Sequence, residues 1–169
     1  PPPYSSSRRH TRLLTQSRGL GDVYKRQESI FPGETVMMEF DMPIKHAAGM
    51  EDYRAGDRIF ILGEQEGPAG YLLSTRAMGR YDHFDYLVAF SPDFVVQGVR
   101  VTTYRSAHGA AICQKKWLSQ FVGYSGEKLT LGKDIDSISG ATVSAGSMVK
   151  DVGRCYRLMR SLRDLGLVR

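Results

Sequence analysis

Apolar and alternating runs predict a β-sheet in the middle of the chain. Five stretches have strand-like patterns separated by turn-forming residues. They cover residues 35–40, 58–62, 71–75, 84–90 and 95–104. The stretch 63–70 is rich in glycine and proline, which predicts a loop between the second and third strands. Residues 91–93 predict an antiparallel hairpin, and Gly98 marks a bulge in its second strand.

Two later segments have apolar residues at helical spacing. The first stripe consists of Ala110, Cys113, Trp117, Leu118 and Phe121, and the second of Met148, Val152, Cys155, Met159 and Leu162. The spacings predict one helix that ends at Gly123 and a longer one that ends near Gly166. Strands followed by helices indicate an α+β fold, with a largely antiparallel sheet, flanking helices and a long amphipathic C-terminal helix.

The side chains of both stripes are expected to face the core. For Trp117 and Phe121, core packing is favoured over contact with a ligand. Cys113 and Cys155 lie on the same apolar faces, which predicts buried thiols, and a disulfide in an oxidising compartment is an alternative. The four histidines lack metal-ligand spacing, and no Walker A loop or Ser–His–Asp set is present. We therefore predict no catalytic and no metal-binding residue.

Composition narrows the class of protein. The chain has 169 residues, 41% of them apolar and 24% charged, with two cysteines. This length can bury one sizeable core, as one domain or a domain with a small extension. The apolar content argues against intrinsic disorder, and two cysteines are too few for a disulfide-stabilised miniprotein. No apolar run approaches the roughly 18 residues of a membrane-spanning helix, so we expect a soluble globular domain.

Basic charge is concentrated at the start of the chain. Residues 1–27 contain six arginines and lysines and one aspartate, which accounts for the whole net charge of +5. This segment also lacks helical or strand periodicity. We interpret it as non-native or disordered, because its strings RRHTR and GDVYKRQ resemble translated sequencing-adapter sequence. A basic nucleic-acid-binding arm and a damaged targeting sequence are the alternative interpretations.

A segment of small residues directly precedes the C-terminal helix. In residues 136–144, six of the nine side chains are small, and several carry hydroxyl groups. A helix N-terminus has unpaired backbone N–H groups and a partial positive charge, and glycine lets a ligand approach the backbone. The segment therefore suits a phosphate or another anion. An ordinary N-cap built from Ser139, Thr142 or Ser144 explains the same spacing.

The same segment resembles the flavinylation motif of the FMN-binding domain family. The nine residues from Asp136 to Ser144 read DSISGATVS, which is similar to D-x-x-[ST]-G-A-T-x-[ST] at every fixed position. That family includes flavinylated subunits of the sodium-pumping NADH:quinone oxidoreductase and of the Rnf complex. Residues 98–105, 117–123 and 131–136 follow the order of elements in its stand-alone bacterial members.

The resemblance also implies a domain organisation. It covers residues 67–163, with a weaker similarity at 31–33. After the segment 1–27, which is interpreted above as non-native or disordered, we expect an N-terminal extension at 28–66 and an FMN-binding domain at 67–165.

Covalent flavin chemistry is what the resemblance implies. In the family, FMN is joined through its phosphate to the hydroxyl of the motif threonine, which is Thr142 here. A separate magnesium-dependent flavin transferase forms the bond, with FAD as the donor. The other expected cofactor-binding residues of the motif are Asp136, Ser139, Gly140, Ala141 and Ser144. We expect the Asp136 carboxylate to point away from the phosphate. The transferase would recognise it, or it would help to set the conformation of the loop.

The motif leaves the flavin ring unassigned. Tyr104 and His108 are the candidates for contact with it, since an aromatic face can stack on a flavin and a donor can tune its potential. The large respiratory complexes carry a Glu-Thr-Pro-Gly-Leu-Gly-like loop after this strand, whereas residues 104–111 read YRSAHGAA. This departure favours a stand-alone carrier over a component of a sodium pump.

The implied function is electron transfer rather than substrate turnover. FMN would pass electrons between redox partner proteins, the flavin transferase would be a further partner, and no nucleic acid is expected. The family implies an extracytoplasmic or periplasmic location, with or without membrane association. The alternative function is a module that binds FMN or another phosphate ligand non-covalently, in a sensory or regulatory role. A nucleic-acid binder would need residues 1–27 to be native.

Overall fold

The computed structural model describes residues 36–64 and 67–168. The segment 1–27, interpreted above as non-native or disordered, and the weak similarity at 31–33 lie outside these residues. In the described part, five strands come first, with one short helix between the first two; three short helical turns follow, and a long helix comes last.

The five strands form one open antiparallel sheet, in which each strand pairs with the next along the chain. They are β1 Val36–Phe40, β2 Arg58–Glu64, β3 Gly67–Met78, β4 His83–Phe90 and β5 Val96–Tyr104. A four-residue helix, α1 at Ile44–Ala47, lies between β1 and β2. The predicted sheet is confirmed, and so is the hairpin of β4 and β5 across residues 91–93.

The loop predicted at 63–70 is wrong over most of its length. β2 continues through Gly63 to Glu64, β3 begins at Gly67, and Gly63 pairs with Pro68 after a register shift. Cross-strand pairing therefore outweighs the weak strand preference of glycine and proline at this position. β1 and β2 lie in the predicted extension and belong to the same sheet as β3.

A bulge in β5 changes which valines face the core. The pairing with β4 skips Gln97, which lies between Val96 and Gly98, so the bulge predicted at Gly98 is confirmed. The bulge shifts the alternation of side chains by one residue. Val96 and Val99 are therefore both buried, and Val95 is only partly buried.

The predicted helix through residues 110–121 is three short turns. They are a 3-10 turn at Ala110–Cys113, helix α2 at Lys115–Leu118 and a 3-10 turn at Ser119–Phe121. Gln114 interrupts them because its backbone is extended (φ −68°, ψ 126°). Trp117 and Phe121 are buried, so their predicted core packing is confirmed. Cys113 lies beside the interruption and is exposed, against the prediction, whereas Cys155 is buried; both thiols are free.

The long C-terminal helix is confirmed as α3, Thr142–Asp164. All five residues of the stripe predicted for it are fully buried in the core that it shares with the sheet. The chain leaves the helix through Gly166, whose positive φ of 68° is readily adopted only by glycine. None of the described helices has an apolar stretch long enough to cross a membrane.

A buried polar network fastens α3 to the sheet. The Arg154 guanidinium donates to Asp57 at 2.7 Å and to Asp151 at 2.8 Å. The Tyr86 hydroxyl of β4 donates to Asp151 at 2.5 Å, and the Thr75 hydroxyl of β3 donates to Asp57. A buried charge is stable only when it is paired and hydrogen-bonded. The network therefore holds α3 in one position on the sheet. It thereby fixes where the N-terminus of α3 lies.

Candidate functional site

Helix α3 begins without a side-chain cap. Its N-cap is Ala141 (φ −128°, ψ 15°), which has no polar side chain, and the first turn holds no acidic residue. The backbone N–H groups of residues 142–144 have no acceptor among the described residues. The alternative N-cap built from Ser139, Thr142 or Ser144 is therefore wrong. Three donors at the positive end of a 23-residue helix remain for an anion.

Gly140 directs the chain into this helix. Its φ of 77° lies in the left-handed region, which residues with a side chain rarely adopt. A Cβ at Gly140 would have no neighbouring heavy atom within 4 Å, so the backbone angle, and not a lack of space, requires glycine. The Ala141 N–H donates to the Ile138 carbonyl at 3.1 Å and closes the turn.

The start of α3 opens into a surface pocket of about 110 Å³. The pocket is lined by Arg80, His108, Gly109, Gly140, Ala141, Thr142, Val143 and Ser144. The Thr142 side chain is exposed, and its hydroxyl donates to the Ile138 carbonyl over a long 3.5 Å. A hydrogen bond of that length is weak. The Thr142 hydroxyl therefore has no strong hydrogen bond to the described residues.

Ser144 and Tyr104 hold the start of α3 against the end of β5. The Tyr104 hydroxyl donates to the His108 carbonyl at 2.7 Å, so its oxygen accepts from the buried Ser144 hydroxyl at 3.0 Å. Gly109 has a φ of 86°, and a Cβ there would lie 2.5 Å from the Tyr104 hydroxyl oxygen. The Tyr104 ring packs on Phe84 with 5.8 Å between ring centres. Ser144 and Tyr104 thus position the pocket wall, and the Ser144 hydroxyl is already engaged.

Two motif residues lie outside the pocket. Asp136 and Ser139 are both exposed and do not line it. The backbone of Asp136 is fixed instead: its carbonyl accepts from Trp117 Nε1 at 2.8 Å, and its N–H donates to Gln120 Oε1 at 2.9 Å. The orientation of the Asp136 carboxylate relative to a bound phosphate stays a prediction.

Comparison with known proteins identifies the family. Residues 79–157, which include every candidate residue above, match the sequence model of the FMN-binding domain. The chain therefore contains an FMN-binding domain at residues 79–157. Its fold is similar to that of a crystal structure of Shewanella oneidensis NqrC, with a TM-score of 0.50 and 17% identity over 85% of this chain and 82% of that one. No curated protein matches the chain in sequence.

The pocket fits the phosphate end of FMN better than the whole cofactor. Pockets that enclose a ligand of this size have volumes of roughly 300–1,000 Å³. The pocket of this FMN-binding domain has about 110 Å³. Its free N–H groups at residues 142–144 and the positive end of α3 suit a phosphate.

Arg80 is a residue of the FMN-binding domain pocket that sequence reasoning missed. It lies on the turn between β3 and β4, which closes with a 2.9 Å hydrogen bond from the Gly79 N–H to the Asp82 carbonyl. Its guanidinium lies 5.2 Å from the centre of the Tyr81 ring. The sequence shows only a basic residue between two predicted strands, and that pattern is too common to indicate a ligand.

A larger cavity, of about 550 Å³, lies beside the end of β3. It is lined by Arg54, Gly56, Asp57, Thr75, Arg76, Met78 and His83. Its cations are already paired, since Arg54 lies 2.7 Å from Asp151 and Arg76 lies 3.2 Å from Asp85. No residue of the motif lines it. The small pocket at Thr142 is therefore the candidate site of the FMN-binding domain.

Proposed function

We propose that this protein is an electron-transfer flavoprotein in which FMN is bound covalently to Thr142 through a phosphoester. When bound, FMN accepts electrons from one redox partner and passes them to another. The observation that carries the proposal is the exposed Thr142 hydroxyl in the pocket at the uncapped start of α3. The phosphoester keeps one negative charge, which the free N–H groups and the helix dipole stabilise.

Attachment is a phosphoryl transfer without a redox change. The Thr142 oxygen attacks the phosphorus atom on the FMN side of FAD, the bond from that phosphorus to the AMP half breaks, and AMP leaves. The hydroxyl proton passes to a base. The residues that line the pocket in the described part of the chain include no carboxylate to bind magnesium or accept this proton. We therefore assign magnesium binding, and with it the transfer reaction, to a separate magnesium-dependent flavin transferase.

The size of the pocket favours covalent over non-covalent binding. A site that binds a cofactor tightly without a covalent bond usually buries most of its surface. A pocket of about 110 Å³ holds little more than the phosphate end of FMN. A bond to Thr142 retains the cofactor although most of it lies outside, and the exposed ring stays accessible to a redox partner.

Partners and location follow from the same proposal. An accessible flavin ring suits exchange of electrons with partner proteins. A covalent bond prevents loss of the cofactor, which matters most outside the cytoplasm, where free FMN is scarce. We therefore place the protein in an extracytoplasmic electron-transfer system, with or without membrane association.

A denaturing gel viewed under ultraviolet light tests the attachment after co-expression with a flavin transferase. We expect a fluorescent band for the wild type and none for Thr142→Ala. Ser139→Ala is the matched control, because it removes an exposed hydroxyl of the same motif that lies outside the pocket. Yellow colour that is lost on denaturation would instead support non-covalent binding in a sensory or regulatory role. A band of full intensity in Thr142→Ala would contradict the proposal.

A further inference from the structure

Arg80 carries a positive charge that no carboxylate in residues 36–64 or 67–168 neutralises. Arg76 and Arg105 lie nearby and differ from Arg80, because both pair with Asp85. Arg80 instead lines the pocket, with its guanidinium over the Tyr81 ring. A planar guanidinium is well suited to bind phosphate oxygens in pairs. The charge of Arg80 is thus available to an anion in the pocket.

Exposed apolar side chains lie beside the same pocket. Tyr81 is 62% exposed, and Val143, which lines the pocket, is 52% exposed. The Tyr81 and His108 rings form a T-shaped pair with 5.9 Å between ring centres. This contact joins the turn between β3 and β4 to the loop after β5. Apolar and aromatic surface around a small polar pocket is typical of a ligand site.

We propose that the turn between β3 and β4 forms the second half of the flavin site. Arg80 binds the FMN phosphate together with the N–H groups of α3, and Tyr81 packs against the isoalloxazine ring. The ring is flat and aromatic, so it covers the exposed face of Tyr81 and gains the favourable geometry of aromatic pairs. This inference rests on the proposed function, because it needs the phosphate to be held at Thr142.

Flavin fluorescence tests the Tyr81 contact, because a tyrosine stacked on the isoalloxazine ring quenches its emission. The full chain is loaded with FMN by the transferase, and covalent FMN per chain is measured by absorbance after denaturation. In the loaded wild type, we expect the native protein to emit several-fold less than the denatured one. Tyr81→Trp should keep this quenching, because tryptophan also stacks and quenches. Tyr81→Leu and Tyr81→Ser should lose most of it.

Phosphorus NMR tests the Arg80 contact independently of the ring. Arg80→Gln should move the phosphodiester resonance, since it removes the guanidinium from the phosphate. Arg163→Gln is the matched control: Arg163 also lies over an aromatic ring, 5.5 Å from the centre of Phe94, but near the other end of α3. The phosphodiester resonance of Arg163→Gln should stay at the wild-type position.

The two proposals fail in different ways. A wild-type protein without covalent FMN would overturn the proposed function, and this inference with it. Stoichiometric covalent FMN, together with unchanged quenching in Tyr81→Leu and Tyr81→Ser and an unchanged resonance in Arg80→Gln, would overturn this inference alone.

Discussion

Three hydroxyl residues of the motif have different surroundings, which decide what each can do. Thr142 is exposed inside the pocket, Ser139 is exposed outside it, and Ser144 is buried and donates to Tyr104. The motif in the sequence predicts all three as site residues. It cannot separate them, because the exposure of each hydroxyl depends on residues such as Tyr104 that lie far away along the chain.

Removal of the Tyr104 hydroxyl should destabilise the protein. Tyr104→Phe leaves the buried Ser144 hydroxyl without its partner, which costs about 1–2 kcal/mol of unfolding free energy. Urea denaturation measures the change. Tyr124→Phe is the control, because the half-buried Tyr124 ring packs on Tyr156 while its hydroxyl has no hydrogen bond to the described residues. Equal stabilities for the two variants would show that Tyr104 does not hold the helix start.

At the scale of elements, periodicity predicts the strands and α3 well and the segment between them poorly. The long helix and the hairpin of β4 and β5 have strong, local patterns. The segment 110–121 also has a helical stripe, but Gln114 adopts an extended backbone within it. Glutamine is a good helix former, so nothing in the local sequence signals the interruption. Packing of Trp117 and Phe121 into the core decides the local conformation instead.

The turn that leads into α3 should be sensitive to loss of Gly140. Gly140→Ala places a side chain at a φ of 77°, which costs about 1–2 kcal/mol and displaces Thr142. We therefore expect a lower melting temperature and slower flavinylation. Gly146→Ala is the matched control in the first turns of α3: a Cβ there meets no atom closer than 4.0 Å, so it should stabilise the helix by about 0.5–1 kcal/mol. Wild-type flavinylation in Gly140→Ala would contradict this role.

At the scale of the whole molecule, the buried network of Arg154 joins the long helix to the sheet. Arg154→Met should leave the buried Asp57 carboxylate without its only cationic partner among the described residues and remove one of the two arginines that pair with Asp151, which costs about 3–5 kcal/mol. The control is Arg157→Met, one turn away, whose pair with Asp52 is exposed and contributes no more than about 1 kcal/mol. Chemical denaturation compares the two variants. Similar losses would show that the network does not stabilise the fold.

The same buried region predicts a loss of stability at alkaline pH. Burial raises the pKa of Cys155 from its ordinary 9.0 to about 12, and burial also raises the pKa of Tyr86 well above its usual range. Above pH 9 the unfolded chain releases the thiol proton while the native protein keeps it. Stability should therefore fall by about 1.4 kcal/mol per pH unit for this group between pH 9 and 12. Cys155→Val should show a shallower decline, and an unchanged slope would contradict this assignment.

The covalent bond at Thr142 is the claim on which the proposed function depends, and mass spectrometry tests it most directly. The purified chain is incubated with active flavin transferase, FAD and magnesium, and its intact mass and fragment masses are recorded. AMP leaves from FAD, so we expect an added mass equal to that of FMN minus one water on the fragment that contains Thr142, and no addition in Thr142→Ala. An unmodified wild-type mass, or an adduct on another residue, would contradict the account.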